Sequence, residues 1–160
     1  MGRLAAGDRI TIQVAIDIKA APSRVWPHLV DWEHLGDWMK EGTSFRLTSP
    51  KREGVGVTAE AAIRIGGLVT QDAIEVTRWE PPELLEIRHL GWVSGSGIMR
   101  CRPNGEGTRM TWVESLEPPM GIVGALGLRL FKPLMARVFS RDLKLLKGLV
   151  EGEPHGVVSG

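Results

Sequence analysis

Residues 10–26 read ITIQVAIDIKAAPSRVW, and this stretch decides the fold. Ile10, Ile12, Val14, Ile16 and Ile18 alternate with Thr11, Gln13, Ala15, Asp17 and Lys19. A period of two is the mark of a strand with one buried face. Ala21-Pro22-Ser23 then opens a helix, with Pro22 or Ser23 in the first turn, where a missing N–H is an orphan anyway. Val25, Trp26, Leu29 and Val30 follow at helical spacing, and Pro27 is tolerated only if the helix starts near residues 23–26. A second short helical segment is expected over Trp32–Trp38, ending before Gly42.

Downstream, to residue 118, the text is strands and turns. Ser44–Thr48 is a short strand, and Val55–Ile65 alternates with Val57, Ala59, Ala61, Ile63 and Ile65 on one face. Gly66-Gly67 is a hairpin signal, and Leu68–Trp79 is the partner strand. Pro81-Pro82 cannot lie in a central strand and marks a break. Leu84–Leu90 is the next strand, Gly91–Gly97 a glycine-rich turn or bulge, and Ile98–Arg102 resumes the ladder. Asn104-Gly105-Glu106-Gly107 is a turn before a last strand, Thr108–Leu116. Strands joined by short turns make an antiparallel meander.

After Pro118-Pro119 the chain to about Glu151 reads as one long helix of roughly 45 Å at ~1.5 Å per residue. Leu130, Phe131, Leu134, Met135, Val138, Phe139, Leu143, Leu146, Leu149 and Val150 form its apolar stripe, and Lys132, Arg137, Arg141, Lys144 and Lys147 hold much of the other face. Gly121, Gly124, Gly127 and Pro133 weaken and kink the first half, giving either a mobile gate or an irregular packed segment. The tail, Glu153–Gly160, reads as disordered. The class is therefore α+β: a curved antiparallel sheet of about seven strands, two short helices after the first strand, and a long C-terminal helix.

The 160 residues form one domain, with an ordered core at about residues 8–151. Apolar residues make up 42% and charged ones 24%, which excludes disorder, collagen and coiled coil. With 20 Lys+Arg against 19 Asp+Glu the formal charge is +1, so no footprint for nucleic acid or an anionic membrane is present. A single cysteine, Cys101, excludes an internal disulfide and a cysteine zinc cluster, and is compatible with a reducing cytoplasm, the expected location. Met1–Arg9 lacks the apolar run of a signal peptide. No ~18-residue apolar stretch predicts a membrane span. His28, Asp31, His34 and Asp37 match no zinc spacing, so no metal is expected. The glycines do not precede a GK[ST] phosphate loop, no Ser-His-Asp or Cys-His nucleophile signature occurs, and no cofactor is expected.

One apolar sheet face must be covered, and the long helix is the only element large enough. A twisted sheet curling around one helix leaves unequal gaps, so a lined cavity is expected. Parity assigns Ala59, Ala61, Ile63, Ile74, Ile87, Met99, Met110 and Trp112 to its sheet wall and Phe131, Met135 and Phe139 to its helix wall. Small residues (Ala59, Ala61, Ala62, Ala73) beside large ones (Trp79, Trp92, Trp112) make room for a ligand, or else conserve volume in a closed core. The same parity turns Asp72, His89 and Glu114 inward. They are then either buried acid–base groups with shifted pKa values, or strand-end groups wetted or paired with Arg64, Arg88 or Arg100.

Several motifs together resemble the START-like (SRPBCC) superfamily. These are Ala21-Pro22-Ser23-Arg24-Val25-Trp26, then Asp31-Trp32 and Trp38, Trp79-Glu80-Pro81-Pro82 before a strand, Gly107-Thr108-Arg109 opening the last strand, and the helix ending Leu145-Leu146-Lys147-Gly148-Leu149-Val150-Glu151. The resemblance covers roughly residues 8–151 and implies the helix-grip fold of polyketide cyclases/dehydrases and lipid-transport proteins. That superfamily hosts many functions. Three are carried forward. The first is a carrier of a small hydrophobic molecule such as a lipid or polyketide. The second is a cyclase/dehydrase in which Asp72, His89 or Glu114 polarises a carbonyl and removes an α-proton. The third is a module whose exposed tryptophans, Trp32 or Trp38 among them, contact a partner protein. Oligomeric state is left open.

Overall fold

A computed structural model describes residues 9–65, 67–119 and 121–153. The strands are β1 (Ile10–Ile18), β2 (Gly42–Leu47), β3 (Thr58–Ile65), β4 (Leu68–Glu80), β5 (Leu84–Leu90), β6 (Ser94–Asn104) and β7 (Gly107–Glu117). The helices are α1 (Pro22–Leu29) and α2 (Gly121–Gly152), with a 3-10 helix at Trp32–Asp37 between α1 and β2. This is the helix-grip architecture. All neighbours in the sheet are antiparallel, in the order β1-β7-β6-β5-β4-β3-β2.

β1 alternates as its sequence demands, with Ile10, Ile12, Val14 and Ile18 buried and Thr11, Gln13 and Ala15 exposed. It closes the meander by pairing with β7, from Ile10–Leu116 to Ile18–Thr108. α1 carries Pro22 at its start and buries Val25, Trp26 and Leu29. α2 runs through Pro133 as one helix and buries Met135, Phe139, Leu143, Leu146 and Val150 at i+3/i+4 steps, which places the core between α2 and the concave sheet face. No helix among the described residues is long and apolar enough to cross a membrane.

Several elements differ from the sequence reading, and β2, expected over Ser44–Thr48, runs Gly42–Leu47. β3 starts at Thr58 because Val55 and Gly56 turn there, the Gly56 N–H donating to the Val76 carbonyl. The second short helix is 3-10, Trp32–Asp37. β6 starts at Ser94, and Gly95 and Gly97 lie inside it opposite Leu116 and Glu114. A Cβ at Gly95 would collide with the Ser115 carbonyl, so this glycine permits a close backbone approach rather than marking a turn. β4 also shifts register between Val76 and Arg78. Gly66 of the expected hairpin pair, and the tail beyond Glu153, lie outside the described residues.

The tryptophan prediction needs correcting. Trp32 is 3% exposed and Trp38 1%, so neither is a surface contact. Trp38 stacks edge-on against Trp112 at 5.9 Å, and the Trp32 indole N–H donates to the Arg52 carbonyl at 2.9 Å. Both are core residues whose single donor is satisfied.

Candidate functional site

The sheet and α2 do not close completely. A cavity of about 260 Å³ remains between them. β3 contributes Ala59, Ala61 and Ile63; β4 and β5 contribute Ile74 and Ile87; β6 and β7 contribute Met99 and Trp112. Phe131, Met135 and Phe139 of α2 form the facing wall, Phe139 lying 4.4 Å from Trp112 between ring centroids. Leu68, Trp92 and Phe131 also line the cavity and are 53%, 61% and 40% exposed, so it reaches solvent beside the β3–β4 and β5–β6 connections.

Met110 is the exception among the residues assigned to the wall. It is fully buried and pairs with Cys101 across the β6–β7 ladder, the two sulfurs 3.6 Å apart. The inward face of β7 is divided: Met110 belongs to the solid core, while Trp112, Glu114 and Leu116 face the hollow. Ala62 and Ala73 have the outward parity, and Trp79 packs edge-on against Trp26 at 5.3 Å; none of the three lines the cavity. Leu29, Leu35, Met39 and Phe45, contributed by α1, the 3-10 region and β2, line it without having been singled out. Their helical or mixed spacing carries no inward parity to read.

Asp72, His89 and Glu114 come together in this wall. His89 Nδ1 lies 2.7 Å from Asp72 Oδ2, and His89 Nε2 lies 2.7 Å from Glu114 Oε2. The Trp112 indole N–H donates to Glu114 Oε1 at 2.7 Å. None of the three pairs with an arginine among the described residues; Arg88 instead reaches Glu75 on the outer face. A ring that meets a carboxylate on each nitrogen donates from both, so His89 is an imidazolium. Burial pulls its pKa down, but the hydrogen bonds to Asp72 and Glu114 outweigh burial and raise it to about 10. Both Glu114 oxygens are engaged, whereas Asp72 Oδ1 accepts no hydrogen bond from the described residues. The two carboxylates sit on opposite ring nitrogens and do not converge on one point. No metal-holding group of three or more His, Cys, Asp or Glu exists among the described residues.

Two further polar residues escaped the sequence reading. Glu41, just before β2, lines the cavity and is 6% exposed; Asp142, on the inner face of α2, is fully buried. Burial first, then the neighbouring Asp142 carboxyl, pushes Glu41 up to about 9. Asp142 was detectable, since it falls three residues after Phe139 inside the apolar stripe. Glu41 lies in a turn with no periodicity to expose it.

No curated protein matches this sequence. Solved structures do. The TTHA0849 protein of Thermus thermophilus is 23% identical with a TM-score of 0.77, over 89% of this chain and 98% of that one. The Zhui aromatase/cyclase of Streptomyces sp. R1128 is 17% identical, TM-score 0.74, over 89% and 94%. A START superfamily protein of Mycobacterium smegmatis is 14% identical, TM-score 0.73, over 89% and 97%. At these identities the likeness is one of fold. The sequence model of one family, polyketide cyclase/dehydrase and lipid transport, matches residues 9–151, from the start of the sheet to the last turn of α2. Given that span, the chain belongs to the polyketide cyclase/dehydrase and lipid transport family.

Proposed function

We propose that this protein binds and carries a small, mostly apolar molecule in the hollow between sheet and α2. The observation that carries this reading is an apolar cavity of about 260 Å³ that reaches solvent and holds one largely buried charged chain, Asp72–His89–Glu114. Apolar burial supplies affinity at ~25 cal/mol per Å², so a ligand burying ~200 Å² gains about 5 kcal/mol before the cost of association. The charged chain orients the ligand: a hydroxyl that donates to Asp72 Oδ1 gives a partner to an acceptor that is otherwise costly to bury. Native mass spectrometry of freshly purified protein tests this. A co-purifying apolar molecule, released on denaturation, supports carriage; an empty protein that takes up no apolar compound overturns it.

A second reading, a cyclase/dehydrase-type enzyme, is favoured by one feature. His89 holds a positive charge at the cavity wall next to Asp72 Oδ1, which accepts no hydrogen bond from the described residues, so a cation and a base lie side by side. On this reading Asp72 removes an α-proton, and the positive charge of the imidazolium, whose two N–H groups stay on Asp72 and Glu114, stabilises the enolate through space. Asp72→Asn, His89→Gln and Glu114→Gln then each cut turnover of a linear polyketone. Unchanged turnover in all three removes the enzymatic reading and leaves the carrier.

A further inference from the structure

A second polar group enters the cavity wall well away from His89. The Glu41 carbonyl accepts from the Arg64 N–H of β3 at 2.7 Å, which puts Glu41 on the β2 side of the sheet. His89 is on β5, three strands across, or roughly 14 Å at ~4.8 Å per strand. Behind Glu41 stands Asp142 of α2. Asp142 Oδ1 accepts from Arg141 at 3.1 and 3.3 Å and from the Lys40 N–H at 3.4 Å. Glu41 Oε2 and Asp142 Oδ2 are both buried and have no hydrogen-bond donor among the described residues. Two neighbouring buried carboxyl groups, each with an oxygen that lacks a donor, are accommodated when one of them carries a proton and donates to the other; burial and the adjacent Asp142 carboxyl both favour the neutral form of Glu41. Arg141 and the Lys40 amide stabilise charge on Asp142, so the proton sits on Glu41.

We propose that Glu41 is a second ligand anchor, its proton committed to Asp142 and its other oxygen a fixed acceptor for a hydroxyl on the bound molecule. The ligand class that fits is elongated and mostly apolar, with one hydrogen-bond donor toward Asp72 Oδ1 at the His89 end and a hydroxyl toward Glu41. A carboxylate at that end is excluded, since Asp142 already places a negative charge behind Glu41. The proposal rests on the cavity being a binding site and specifies what enters it.

The test uses a pair of neutral, non-ionising probes on the full chain at pH 7, naphthalen-2-ylmethanol and 2-methylnaphthalene. One hydrogen bond of about 1 kcal/mol converts to a preference of roughly fivefold for the alcohol. Wild type shows that preference. Glu41→Gln keeps it, because the amide donates to Asp142 and still offers a carbonyl. Glu41→Leu and Glu41→Met lose the preference and bind the alcohol no more tightly than the hydrocarbon. A preference that survives in either apolar variant places the hydroxyl elsewhere and overturns the proposal. So does equal affinity of wild type for the two probes, which needs no variant and leaves the cavity reading intact. If wild type binds neither probe, the binding reading fails, and the proposal fails with it.

Discussion

Gly97 faces Glu114 across the β6–β7 ladder, and a Cβ at position 97 would stand 2.6 Å from Glu114 Oε1. The absent side chain is what lets Glu114 lie flat toward His89 and Trp112. Gly97→Ala therefore displaces the Glu114 carboxylate and lengthens its bond to His89. The imidazole pKa, followed by NMR titration, is expected to fall from about 10 toward 6.5, its ordinary value. The stability cost is ~1 kcal/mol, typical of a single substitution. An unchanged His89 titration would show that Glu114 does not hold the ring charge.

Stability should decline as pH rises above neutrality. The folded-state pKa of His89 is about 10 against 6.5 for the ordinary side chain, so its contribution is complete below 6.5 and lost as pH climbs through 10. Glu41 acts in the same direction: raised from 4.5 to about 9, it must take up a proton on folding, and that becomes steadily harder above 4.5. Urea unfolding from pH 5 to pH 10 is expected to show a continuous loss of stability, with both groups contributing in the same direction. His89→Gln flattens the upper part of the curve and Glu41→Gln the lower part. A wild-type curve that rises with pH would contradict both assignments.

Trp38, at 1% exposure against Trp112, belongs to the core. Trp38→Ala should cost ~3–5 kcal/mol of stability by thermal or urea unfolding. A near-neutral effect would mean that the ring is not packed as described.

The sequence exposes what repeats and hides what occurs once. The alternation in β1, Ala59–Ile63 and Leu85–His89 is regular, so parity alone points Asp72, His89 and Glu114 the same way. It says nothing about their mutual distance, which depends on ladder register such as Gly97 opposite Glu114. Gly95 and Gly97 look like a turn in one dimension because their reason for being glycine lies on the neighbouring strand. Met110 has the right parity for the cavity but sits beside Cys101 in its filled end, and where filling stops is set by sheet curvature. Glu41 and Asp142 are a hundred residues apart and meet only because α2 returns to the β2 edge.

Ala61 lines the cavity opposite Asp72 in the β3–β4 ladder, where a larger side chain enters the hollow without touching the solid core. Titration of wild type and Ala61→Leu with N-phenyl-1-naphthylamine, a neutral apolar dye, reads the hollow directly. The expected result is saturable binding at one site in wild type and at least a ~10-fold weaker affinity in Ala61→Leu, a loss of about 1.4 kcal/mol, with the variant folded. No saturable binding in wild type, or equal binding in the variant, would mean that the space between sheet and helix is not a ligand site.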